Sequence, residues 1–178
     1  MYFCPACSTM FSMQPQEKHI IWQDFISPTH GAVTLDDMFS RMLEYINEYR
    51  GCTYHLIIGT DSFLNNDTLF VSAIIIHRVG HGGIYFYKKS LRRKMDSMRQ
   101  RIFYEATMSI ELASVIRDKL NENGFKKLPV EIHLDVGNNG DTKDIIKEVV
   151  GMVTGSGYHA VTKPQSYGAS KVADRHSK

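Results

Sequence analysis

A chain of 178 residues, 43% hydrophobic and 22% charged, has the size and composition of one globular domain with an ordinary core, which excludes a second full domain. No apolar run approaches the ~20 residues that cross a bilayer, and Met1-Tyr2-Phe3-Cys4 lacks the charged start of a secretory signal, so a cytoplasmic protein without a membrane partner is expected. The net charge of +2 favours no class of partner, and three cysteines, Cys4, Cys7 and Cys52, do not make a disulfide framework.

Residues 1–33 carry no sustained hydrophobic period and contain Pro5, Pro15, Pro28 and Gly31, which predicts an irregular N-terminal extension ahead of a domain spanning 34–178. Within the extension, Cys4-Pro5-Ala6-Cys7 has the spacing of one knuckle of a zinc ribbon. A Zn²⁺ ion on Cys4 and Cys7 would need ligands from elsewhere, such as a second chain. No second pair follows, and His19 and His30 are too far apart for a standard finger.

Thr34 reads as a helix cap with Asp37 three positions on, and Leu35, Met38, Phe39, Met42, Leu43 and Ile46 make one apolar helical face that ends near Gly51. The period then changes. Residues 54–64, 69–77 and 84–91 are rich in β-branched and aromatic side chains and are separated by Asn65-Asn66-Asp67 and Gly80-His81-Gly82-Gly83, which predicts a three-stranded meander. A long helix over 95–121 follows, then a strand over 130–136, a helix over 142–153, a strand over 158–162 and a last helix after Pro164. This order predicts an α/β fold. Three antiparallel strands lead into two parallel ones in a mixed sheet with helices on both faces.

Four acids stand out against these elements. Asp61, in Ile57-Ile58-Gly59-Thr60-Asp61-Ser62, lies late in a strand of otherwise apolar and small residues, where aspartate has poor propensity. On the long helix, Met98, Ile102, Ala106, Ser109, Ala113, Ile116 and Leu120 share a face, and Glu105 falls about 50° from its centre, whereas Glu111, Asp118 and Glu122 point away. A carboxylate aimed at the edge of a core must be paired, protonated or metal-bound. Asp135, in His133-Leu134-Asp135-Val136-Gly137, ends the fourth strand, where ligands of α/β sheets gather; an aspartate there also suits the start of a turn. Asp174 lies between Lys171 and Arg175 near the C-terminus, a setting that equally suits an exposed ion pair.

Clustered carboxylates select hard ions such as Mg²⁺ or Mn²⁺. Two such ions about 3.5–4 Å apart activate water and stabilise the leaving oxygen in phosphodiester cleavage. In that scheme Asp61 bridges the ions, Glu105 and Asp135 complete one of them, and Asp174 holds the other.

Ile58-Gly59-Thr60-Asp61-Ser62, Gly82-Gly83, Arg101 through Glu105, His133-Leu134-Asp135-Val136-Gly137, and Lys163-Pro164 with Ser166-Tyr167-Gly168-Ala169-Ser170 together resemble the ribonuclease H-like proteins of the YkuK type, over roughly residues 34–178. The resemblance implies a ribonuclease H-like sheet. It also implies a metal-dependent nuclease whose four acids, in order, are Asp61, Glu105, Asp135 and Asp174, acting on RNA, an RNA:DNA hybrid or structured DNA. Arg92, Arg93 and Lys94, in the basic run from Lys88 to Arg101, would hold phosphates, although lysine and arginine also guard hairpin edges. Lys163 would meet the scissile phosphate and His176 would serve proton transfer, or both would be surface residues. Two rival expectations remain. One is a nucleic-acid-binding protein that keeps the fold without catalysis. The other is an actin-like nucleotide hydrolase, against which the single domain argues.

Overall fold

The computed structural model describes residues 22–137, 145–166, 171, 172 and 174–176. The chain opens with a hairpin of β1 (Asp24–Ser27) and β2 (Gly31–Thr34), which feeds α1 (Leu35–Glu48). The meander follows as β3 (Tyr54–Leu64), β4 (Thr68–Arg78) and β5 (Gly82–Arg92). Next come α2 (Met98–Glu122), β6 (Val130–His133), α3 (Ile146–Gly155) and β7 (His159–Val161). Residues 171, 172 and 174–176 are helical. Among the described residues the strands form one mixed sheet in the order β2-β1-β5-β4-β3-β6-β7. β3, β4 and β5 are antiparallel, and β6 and β7 run parallel to β3.

The expectation of an irregular extension up to residue 33 fails over its last part, because residues 24–34 form the β1–β2 hairpin and extend the sheet beyond β5. Its strands are four residues each, too short to show a period, and Pro28 falls in the turn between them. What holds the hairpin is aromatic burial. Trp22 and Phe25 stack 6.3 Å apart and are each 1% exposed, joined in the core by Val33. Cys4 and Cys7, with the rest of that extension up to residue 21, lie outside the described residues.

α1 starts where the sequence places it. The Thr34 hydroxyl accepts from the Asp37 N–H at 3.1 Å while the Asp37 carboxylate accepts from the Thr34 N–H, satisfying two donors that a helix start leaves open. Its Met38 and Met42 join Ala106, Leu112 and Ile116 of α2 and Val149 and Val153 of α3 against Leu56, Ile58, Phe70, Ile74, Phe86 and Ile132 of the sheet. These strand residues are all even-numbered, so they share one face of the sheet. The odd-numbered face carries Val71 and Tyr87, with Leu69 and Tyr85 beside them. Over it lies the His176 ring, stacked on Tyr87 at 3.8 Å with 9° between planes. Helical residues thus cover both faces.

β6 is shorter than the sequence suggests. Beyond His133 the backbone leaves β3 and bonds toward β7 and the segment after it, through the Leu134 N–H to the Val161 carbonyl and the Lys163 N–H to the Val136 carbonyl. Among the described residues no helix is long and apolar enough to cross a membrane.

At Gly83 the absence of a side chain is structural, since a Cβ there would collide with the Ile76 carbonyl oxygen across the β4–β5 ladder. Gly83→Ala should therefore lower stability by about 2 kcal/mol, in the range of substitutions that force a backbone shift. A thermal melt with an unchanged midpoint would show that the ladder absorbs the methyl without cost.

Candidate active site

β3 is eleven residues long and pairs with β4 along all of them, but β6 accompanies it only over Leu56–Ile58. Asp61 lies three positions past that last pairing, at an open shoulder of the strand. Strand alternation then sends Asp61 toward the odd-numbered face and Ser62 toward α2. The Asp61 carboxylate accepts from the Ser62 N–H at 2.9 Å, and the Ser62 hydroxyl donates to Glu105 Oε1 at 2.6 Å. One serine therefore ties the strand carboxylate to the helix carboxylate.

Glu105 is fixed from behind as well. Its backbone carbonyl lies 2.9 Å from Ser109 Oγ, which is 3.0 Å from Thr60 Oγ1, itself 2.8 Å from Ser72 Oγ. Ser109, Thr60 and Ser72 are buried, so this hydroxyl chain sits in low dielectric, where a satisfied polar network rigidly specifies its partners. The helical phase is as the sequence predicts, with Glu105 partly buried and Glu111, Asp118 and Glu122 exposed.

Asp135 follows the end of β6 and pairs with Lys163, whose Nζ is 2.8 Å from Oδ1. Gly137 makes room for that pairing: a Cβ there would come within 3.2 Å of the Lys163 Cβ. Two adjoining clefts share Asp61, Asp135 and Lys163. One also reaches Lys171 and the exposed Asp174, and the other reaches Glu105, Arg101 and Met98. Each of the four acids singled out in the sequence thus lines at least one of two clefts that have Asp61 and Asp135 in common, Glu105 the one and Asp174 the other. They do not close on a point, since among the described residues no three His, Cys, Asp or Glu side chains converge tightly enough to hold an ion.

Burial raises the Asp61 carboxyl to about 6, with the nearby Asp135 and Asp174 adding to the shift against the Ser62 N–H and Lys163. Burial likewise pushes Glu105 up to about 8, reinforced by Asp61 and Asp135 and opposed by the Ser62 hydroxyl and Arg101. The donor set consists of hard carboxylate oxygens short of positive charge. That is the chemistry a divalent oxygen-seeking ion satisfies, so the residues fit such an ion although they are not arranged as a finished cage.

The basic residues divide. Lys163 lines both clefts. Arg92 donates from Nε to the Tyr104 hydroxyl at 3.0 Å, Lys94 pairs with Asp96 at 2.9 Å, and Arg93 is exposed; none of the three lines either cleft. His176 is also outside them, its Nε2 3.3 Å from the Tyr85 hydroxyl. Burial, together with Lys89 and Arg175, lowers its pKa. Sequence reasoning passed over Ser62 and Arg101 as site residues. Ser62 was legible from strand alternation next to Asp61, whereas Arg101, whose Nη1 donates to the Met95 carbonyl at 2.8 Å, gave no signal beyond its place in a basic run.

A raised carboxyl pKa means that the folded chain holds a proton the unfolded chain has released, so stability contributed at low pH is lost as pH climbs toward the folded value. Without divalent ions, the contribution of Glu105 to the melting temperature should fall between about pH 4 and about pH 8, the window set by the ordinary carboxyl pKa and its own, and is read as the difference between wild type and Glu105→Gln. Glu105→Gln should flatten that decline and gain on the order of 1 kcal/mol near pH 8. A difference between wild type and Glu105→Gln that stays constant over this window would show that Glu105 ionises without cost.

Residues 37–178 match the ribonuclease H-like family. The chain is also 34% identical over 166 residues to "Uncharacterized protein YkuK" of Bacillus subtilis (strain 168), a match covering 86% of this chain and 96% of that protein. No solved structure matches it. With the mixed sheet and these two matches together, the chain belongs to the ribonuclease H-like family, among proteins of the YkuK type.

Proposed function

We propose that the chain is a metal-dependent nuclease that hydrolyses phosphodiester bonds of RNA or structured nucleic acid, with two Mg²⁺ or Mn²⁺ ions held by Asp61, Glu105, Asp135 and Asp174. The observation that carries the reading is that Asp61 and Asp135 line two clefts, one of which adds Glu105 and the other Asp174, with Asp61 and Glu105 raised by burial and by their acidic neighbours. Folding has gathered like charges where they cost stability, which points to a ligand that reverses the cost. When bound, such ions supply an activated water and stabilise charge on the leaving oxygen.

The chain's own groups have separable tasks in this reading. Glu105 gives up its proton as the positive ligand arrives, and Ser62 keeps its carboxylate and that of Asp61 in register by its hydroxyl and N–H. Lys163 compensates Asp135 in the absence of other positive charge. Once Asp135 is otherwise compensated, that ammonium is free to meet a phosphate oxygen, which both clefts allow by position.

Cleavage of labelled RNA:DNA hybrid, duplex RNA, single strands and a four-way junction with Mg²⁺ or Mn²⁺ tests the proposal. Asp61→Asn should reduce the rate by more than about 100-fold, and Ser62→Ala, which loosens one ligand's partner, by about 10-fold to 100-fold. Glu111→Gln, on the exposed side of α2, should leave it unchanged. Binding without cleavage of any member by the wild type would favour the non-catalytic reading.

A further inference from the structure

The register of the meander continues past Asp61. Asp61 lies opposite Val71, which lies opposite Lys89, and one step further along the same face Phe63 lies opposite Leu69, which lies opposite Leu91. All six side chains share the odd-numbered face. In the nearer row Val71 is fully buried. In the outer row, however, Phe63 is 42% and Leu91 61% exposed, with Leu69 partly buried between them. Three strands thus present an apolar ledge roughly 7 Å along the sheet from the Asp61 carboxylate, at about 3.3 Å per residue.

We propose that this ledge is the seat of unpaired nucleotides, whose bases lie on Phe63, Leu69 and Leu91 while their phosphates run toward the carboxylates. The inference rests on the nuclease reading and specifies its substrate as a single strand or a splayed-out end. Exposed apolar and aromatic side chains match the faces of bases, which stack with little regard to sequence. An intact duplex shows its phosphates and grooves instead, and a phosphate against the ledge would lose water without gaining a partner. The charge around the ledge fits a polyanion: Lys89 stands in the Asp61 row roughly 10 Å across the sheet, and Arg93 and Lys94 follow Leu91 on exposed backbone. Asp67, in the β3–β4 turn, and Asp61 in the next row are acids beside the ledge, and Lys94 already has Asp96. A second copy of this chain fits less well, since a two-fold contact through so small a patch would bring Lys89 and Arg93 close to their own images.

The test uses the full chain in EDTA, where nothing is cut, with short single-stranded RNA and DNA carrying a fluorescent adenine analogue and a blunt duplex of the same sequence. The ledge predicts that both single strands bind with quenching of the analogue. Phe63→Ala and Leu91→Ala should each weaken that binding about tenfold, and Phe63→Trp should restore it. Melting curves of the variants, expected to match the wild type because both side chains are exposed, separate lost stacking from lost fold. Unchanged single-strand binding in the alanine variants, duplex binding with equal strength and equal sensitivity to them, or a wild-type dimer that Phe63→Ala dissolves would each overturn the ledge. If metal-dependent cleavage persists in any of those cases, the ledge alone has failed. If instead the ledge variants lose single-strand binding while the wild type cuts nothing, the nuclease reading fails and the ledge stands.

Discussion

The early departure of β6 from β3 governs what this sheet can do. Three paired positions, Leu56 to Ile58, hold the two strands together, and β3 then runs on with a neighbour on one side only. A fully flanked strand could offer its side chains only above or below the sheet. At the open shoulder, a side chain from either face reaches the same space, which is how Asp61 from the odd-numbered face and Glu105 from the helix-covered face come to border one cleft. Ser62 bridges the two faces because its backbone N–H, in the plane of the sheet, meets the Asp61 carboxylate while its hydroxyl points to the face that carries α2. The site is thus a property of where one ladder stops.

That geometry carries an electrostatic penalty. Carboxylates drawn together and partly out of water resist ionisation, and the ammonium of Lys163 offsets part of that charge through its pair with Asp135. The Lys163–Asp135 pair is half exposed, so solvent screens it and its own contribution is small. Stability has to come from elsewhere, and the fully buried Leu56, Ile58, Ile74, Leu112 and Ile116 supply it from the helix-covered face. The hydroxyl chain of Ser72, Thr60 and Ser109 stands between that apolar core and Glu105. Polarity therefore rises by steps from the core to the cleft.

How much of this was legible in the sequence follows from length scale. The meander showed itself because eleven-residue strands carry enough alternation to read, and α1 because its cap and apolar face agree. Glu105 was separable from Glu111, Asp118 and Glu122 because a helix of 25 residues fixes its own phase. The β1–β2 hairpin had no such length, and its burial of Trp22 and Phe25 is tertiary information. The basic run divides for a different reason. Read as a block it looked like one patch, but strand alternation sends Arg92 to Tyr104 on the helix side and puts Lys89 on the face of Asp61. Parity within a strand decides partners that composition cannot.

The four acids also differ in what holds them, and the order is instructive. Asp61 is set by a strand hydrogen-bonded on both sides just before it, and Glu105 by a helix packed into the core and tied by two serines. Asp135 comes after a strand end, steadied by backbone bonds to the segment carrying Lys163. Asp174 belongs to exposed helical residues that reach the sheet through a neighbour two positions on, the His176 ring lying flat on Tyr87. Stacking of one ring on another is worth about 1 kcal/mol, far less than a strand ladder or a buried helix face. In the proposed site, a ligand seated in the cleft that Asp174 lines would tie it directly to Asp61 and Asp135 at the edge of the sheet.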